Sequence, residues 1–393
     1  MKQFFSISLV AAAILAAFVL AQDQPGVTRD GPYWVRTITG AVGRSPFQGL
    51  RLETVGNVIL RGDTGDHAVY TFKARVRARD QRDAEALLRE LEVKTGMEGD
   101  RAYLTLRSGR PVAEGSELSV SVPRALRQVW IATDGGSVQV SDLDGEIEAR
   151  SAGGQIAVDG VRGSAEIRTG GGDIQVGSVG GSLRCFSGGG AIRVQNAGGE
   201  CWLETAGGEI FVHQAMAPVH ATARGNIRID RVAGPVFANT AGGLIDVQRA
   251  DGAVIAESSG GAIQINAANG VECDSAGGAI RLRNVVGAMH ASTNAGSILA
   301  ELLTGHRMQD SVLSTHAGDI TVLIPSNFAV TVVAMNGSPG AAGRIVSDYP
   351  EIRVRTASQA GGMPVVAEGA LNGGGPVLHI NVIGGTIYLR RQK

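Results

Sequence analysis

The side chains that could carry chemistry are scattered along this chain of 393 residues. The densest acidic group is Asp142, Asp144, Glu146 and Glu148. Four carboxylates so close could hold a cation weakly, but a solvated, charged edge is the plainer reading. The histidines His213 and His220 stand seven apart around Pro218, and His306 and His316 ten apart, neither in a metal-ligand spacing. No Gly-x-Ser-x-Gly elbow is present, and the Gly-x-Gly matches lack the helix that a phosphate loop would open. We therefore expect no catalytic residues, no metal and no cofactor. One set of residues does align: Trp202, His220, Phe237 and Ile255, at intervals of 18, 17 and 18. They matter only if the chain repeats at that interval.

It does. The second glycine of each pair, or the glycine standing in its place, falls at Gly136, Gly154, Gly172, Gly190, Gly208, Gly225, Gly243, Gly261, Gly278, Gly296 and Gly318. A period sustained over ten steps marks a solenoid. Two residues beyond each glycine stands Val138, Ile156, Ile174, Ile192, Ile210, Ile227 and onward, and four beyond stands Val140, Val158, Val176 and their equivalents. β-branched residues separated by one outward position describe a strand with one buried face. A second glycine corner and a second strand complete each unit, with Cys185 and Cys201 pointing inward.

The fold expected is all-β: a parallel β-helix, or single-stranded β-solenoid, of coils of about 18 residues. Eleven coils stacked ~4.8 Å apart make a rod of roughly 50 Å. The glycines are expected where the chain must turn, often at positive φ. Cys185, Cys201 and Cys273 are expected as buried thiols; Cys185 and Cys201 sit two positions out of register, which leaves a disulfide the less favoured alternative.

The segments divide as 1–21, 22–130, 131–324 and 325–393. The first has a basic start, an apolar run from Phe4 to Leu20 and a small-residue site at Ala21. It reads as a secretory signal, with an uncleaved anchor as the alternative. About 370 residues remain after cleavage, with no further transmembrane segment expected. The second is an N-terminal cap, irregular over 22–45, with strands over 48–78 and one amphipathic helix, Asp83 to Leu91, "DAEALLREL". The third is the repeat. The fourth returns to the corner-and-strand pattern at Gly385, Ile387 and Leu389 and closes the solenoid. Net charge is −1, aromatics are 4% and glycines number 57. No electrostatic argument favours nucleic acid.

The units "TGGGDIQV" and "SSGGAIQI", with the ending "NGGGPVLHI" and "GGTIYLRR", resemble the bacterial putative-adhesin family, over roughly residues 50 to 393. The resemblance implies a right-handed β-helix outside the cytoplasm, in the periplasm, on the cell surface or secreted. It implies no catalytic residues. The function expected is a non-catalytic, adhesin-like binding or envelope scaffold protein whose partner is an envelope protein or a glycan. The alternative is a carbohydrate-active β-helix with its site at Leu302 to Asp310.

The column that contains Trp202 runs Glu148, Glu166, Arg184, Trp202, His220, Phe237, Ile255, Glu272, His290. Its four central members would form a stripe about 15 Å long. This stripe is either a self-stacking ladder, or a strip covered by the loop at 336–345, or a docking surface, with the Trp202 indole offering an open face to a sugar or side chain.

Overall fold

The computed structural model describes residues 26–43, 46–109, 115–303, 308–337, 344–355 and 364–392. The segment read as a secretory signal lies outside them, as do 304–307 and 338–343. Among the described residues no helix is long and apolar enough to cross a membrane.

The chain folds as a parallel β-helix whose coils contribute one strand to each of two long sheets of 18 strands. The first sheet stacks Val138–Leu143, Ile156–Val161, Ile174–Val179, Ile192–Ala197, Ile210–Ala215, Ile227–Val232 and Ile245–Ala250 in parallel. The second stacks Glu146–Ser151, Ala165–Thr169, Leu183–Ser187, Cys201–Thr205, Val219–Ala223, Val236–Thr240 and Val254–Ser258. Ile192, Ile210, Ile227, Ile245 and Ile263 pair with one another in that order, so the 18-residue interval of the sequence is the stacking interval of the coils.

Alternation builds a thin core. Ile156, Ile174, Ile192, Ile227 and Ile263 are fully buried from one sheet, and Ile167, Leu183, Cys201 and Ala256 from the other. The three cysteines are free and buried. Cys185 pairs with Leu203 and Cys201 with Leu183, the two-position offset expected from the repeat. Burial pushes the Cys201 thiol up to about 12.

The corner glycines answer to close approach rather than to turning. Few have a left-handed φ. Instead, a Cβ on Gly172 would lie 2.3 Å from the carbonyl oxygen of Gly154, and one on Gly190 would lie 2.2 Å from that of Gly172. The coils stack backbone on backbone at this corner. A line of buried hydroxyls stitches the same seam. Ser151, Thr169, Ser187 and Thr205 each donate at 2.8 Å to the glycine carbonyl that opens their own coil, and accept from the glycine N–H that opens the next. These hydroxyls satisfy polar groups that would otherwise be buried without partners. At Ala223 the line is interrupted, and Gly225 N–H donates to the Gly208 carbonyl instead, at 3.2 Å.

The ends differ from the repeat. Tyr33–Val42, in a region that reads as irregular, is a ten-residue strand antiparallel to Ala68–Val76. Its small and polar outward residues weaken the alternation, and its partner holds it. The helix is Gln81–Leu88, capped by Asp80. Leu91 begins the next strand, Leu91–Glu98, antiparallel to Arg101–Ser108.

Parallel pairing begins at Gly49–Thr54 and Asn57–Asp63. These strands lie between Arg101–Ser108 and Glu117–Pro123 on one side and Gln128–Thr133 and Val138–Leu143 on the other. The far end repeats this arrangement. Val377–Gly384 and Thr386–Arg391, last in sequence, lie between Ser311–Ala317 and Ile320–Ile324 on one side and Val330–Asn336 and Arg344–Ser347 on the other. At both ends, therefore, the coil nearest the terminus in sequence is the second in space.

Candidate binding groove

Each second-sheet strand sends two residues outward, two positions apart. The first column has Glu166, Arg184, Trp202, His220, Phe237, Ile255 and Glu272 directly paired from strand to strand. Trp202 and His220 stack with ring centroids 3.8 Å apart and planes within 3°, and His220 and Phe237 stack at 4.5 Å with the same angle. Parallel strands one rung apart bring aligned side chains into this contact without bending the backbone. His220 also sets Nε2 3.1 Å from Glu200 Oε1, which fixes the ring's rotation.

The rings are stacked but not covered. Trp202 retains 46% of its surface and Phe237 37%. The indole face expected to be free carries His220 on one side, and the next rung toward Arg184 on the other.

The second column is the part that the sequence reading missed: Arg168, Phe186, Glu204, Thr222, Asn239, Glu257 and Asp274. Between the two columns runs an open groove of about 660 Å³. One wall is Trp202, His220, Phe237 and Ile255; the other is Phe186, Glu204, Thr222, Asn239 and Glu257. The floor beside Thr222 and Asn239 is formed by the strands at the buried Ala221 and Ala238. Phe186, 39% exposed, extends the apolar surface across one end. Glu257 accepts from the Asn239 amide at 2.8 Å. Among the described residues, Glu204 and Arg184 have no ion-pair partner.

The other candidates are dispersed. Asp144 is held by Arg124 at 3.2 Å and Arg162 at 3.0 Å, Asp142 by Arg61 at 3.6 Å, and Glu148 by Arg150 at 2.5 Å. Three of the four carboxylates in the acidic group are therefore salt-bridged along this edge. His213 bonds Asp230 while His220 bonds Glu200, so the two imidazoles serve separate partners. Among the described residues no three metal-ligating side chains converge. His306 and the centre of the Leu302 to Asp310 segment lie outside the described residues, as does most of the 336–345 loop.

No family model matches the chain, and no curated protein matches it. Among solved structures it is similar to a putative cell adhesion protein from Clostridium sporogenes, at 8% identity and TM-score 0.21, over 91% of this chain and all of that one. It is also similar to a putative adhesin from Bacteroides fragilis, at 15% identity and TM-score 0.28, over 74% of this chain and 97% of that one. A putative adhesin from Parabacteroides merdae matches at 10% identity and TM-score 0.26, over 75% and 98%. Two of these are described as putative adhesins and one as a putative cell adhesion protein, the family that the repeat and ending units resemble.

Proposed function

We propose that this protein is an exported, non-catalytic solenoid that binds a partner in the groove on its second sheet, as an adhesin-like or envelope scaffold protein. The observation that carries the reading is the groove itself. Four consecutive coils present large apolar or aromatic groups along one wall, beside a wall of hydrogen-bonding side chains, on a rigid support. Exposed apolar surface of this continuity marks contact sites. Among the described residues, the buried side-chain polar groups all have hydrogen-bond partners.

A glycosidase needs two carboxylates about 5 to 9.5 Å apart across a substrate. Glu204 and Glu257 are three rungs apart, roughly 14 Å along the sheet. At the end of the groove a carbohydrate-active alternative would rest on Glu257 and Asp274, which occupy adjacent rungs. That pair opens on a pocket lined by Ser, Thr, Asn and Ala, with no ring to hold a sugar. Release of reducing ends from polysaccharide by purified protein, lost in Glu257→Gln, would establish that alternative.

The binding reading is tested with Trp202→Ala combined with Phe237→Ala. Both side chains are outside the core, so the melting temperature should fall only a few degrees. Adhesion to cells, glycans or envelope preparations that bind the wild type should be lost; unchanged adhesion would refute the reading. Export is tested separately: protein recovered outside the cytoplasm should begin at Gln22.

A further inference from the structure

We infer that the groove's occupant is an extended peptide segment of a partner protein, with apolar and basic side chains in alternation; the inference rests on the groove being the binding site. The stacked rings bear on this first. A sugar chain recognised by aromatic residues lies on ring faces, and here both faces of His220 and one face each of Trp202 and Phe237 are turned along the rod against one another, leaving only the two outer faces of the stack. The groove receives edges, which suit aliphatic and aromatic side chains laid against them.

Charge bears on it second. The wall opposite the rings carries Glu204 and Glu257, both exposed. Beyond them the same face continues with Glu272 and Asp274. Glu204 has no cationic partner among the described residues, and Glu257 has only the Asn239 amide. Basic groups placed between these carboxylates would gain most from pairing, and their attraction would steer encounter. At the other end Arg168 and Arg184 line the groove. A basic run is therefore accepted over only part of the length.

Geometry joins the two. Trp202 to Ile255 spans three rungs, ~14 Å, which an extended peptide covers in about four residues. Along such a peptide successive side chains point to opposite sides. With one wall apolar and the other acidic, the matching sequence alternates apolar and basic residues for one register. Thr222, exposed above the alanine floor, leaves the room for the backbone between the walls.

The test is selection of random dodecapeptides displayed on phage against the purified full chain, with counter-selection against Thr222→Trp, which fills the groove without touching the core. Enriched peptides should carry Lys or Arg alternating with apolar residues. A synthetic peptide of that consensus should bind the wild type with salt-dependent affinity. Affinity should fall about tenfold in Glu204→Gln with Glu257→Gln, and further in Thr222→Trp, with melting temperatures unchanged. Enriched peptides without basic character, or binding indifferent to both variants, would overturn the inference. A glycan that binds the wild type and not Thr222→Trp would overturn it while leaving the groove as a binding site. Absence of any groove-dependent ligand, peptide or glycan, would overturn the functional reading as well.

Discussion

Substituting the two glycines of one pair should have opposite effects. At Gly171 an added Cβ meets nothing within 4 Å, and its φ is not in the left-handed range. At Gly172, the next residue, the Cβ would stand 2.3 Å from the Gly154 carbonyl oxygen. Real Cβ contacts do not fall below 3.0 Å, so the two coils must part by at least 0.7 Å. The adjoining ladder bond, Ile156 N–H to Asp173 carbonyl, is 2.9 Å, and such a parting takes it out of hydrogen-bond range. The Thr169 hydroxyl, which bridges Gly154 and Gly172 at 2.8 and 3.2 Å, loses one or both of its contacts. Two or three hydrogen bonds at about 1 kcal/mol each place Gly172→Ala at roughly 2 to 3 kcal/mol destabilising. Gly171→Ala should be stabilising by about 0.4 to 1 kcal/mol, through the less flexible unfolded chain. Urea denaturation followed by intrinsic fluorescence and circular dichroism measures both. A neutral Gly172→Ala, or equal damage at the two positions, would refute the argument that coil contact rather than turning selects these glycines.

Thr169→Val keeps the shape of the seam residue and removes its hydroxyl; it should cost about 1 to 3 kcal/mol in the same assay, since two backbone groups lose their partner. Ile227→Asp should cost several kcal/mol by placing an unpaired carboxylate in the ladder, and a variant melting like the wild type would refute the register. Cys185, Cys201 and Cys273 should resist a thiol reagent in native protein and all three react on denaturation without reductant. Because burial raises the folded thiol pKa, Cys201 to about 12, their contribution to stability is complete below the unfolded value near 9 and declines as pH rises toward 12. Alkaline denaturation of the wild type should therefore begin above about pH 9, and Cys201→Ala should weaken that part of the pH dependence.

The coil, its period and its inward residues are legible in the sequence because each has a translational signature. Ile-x-Val recurs at fixed distance from a glycine, and stacking in register follows. The same logic aligned Trp202, His220, Phe237 and Ile255. A self-stacking ladder is among the readings that the column allows, but residue order does not select it, because a side chain's rotation leaves no mark there. The wall of Phe186, Glu204, Thr222, Asn239 and Glu257 was missed because it has no shared character; only its offset of two from the aromatic column could have found it. The seam hydroxyls were readable, since Ser151, Thr169, Ser187 and Thr205 each precede the second glycine by three. Glycine itself misled: its conformational freedom is the familiar reason for a corner, while here it is the lack of a Cβ that the neighbouring coil requires. The interleaving of the terminal coils has no pattern in composition at all, because it is decided by which edges remain available when the rest of the rod has formed.

That interleaving changes how such a rod can alter its length. In a simple stack, a unit can be gained or lost at either end, because the last coil touches one neighbour. Here the segments at 49–63 and 377–391 are each gripped on two sides, so any addition beyond them would have to break a clasp. Growth and shrinkage are confined to the interior, where removing one whole interval joins two strands that already share a register. The two clasps then act as fixed fittings on a spacer of adjustable length, and a lineage could set the distance from one end to the groove by whole coils while leaving both ends untouched.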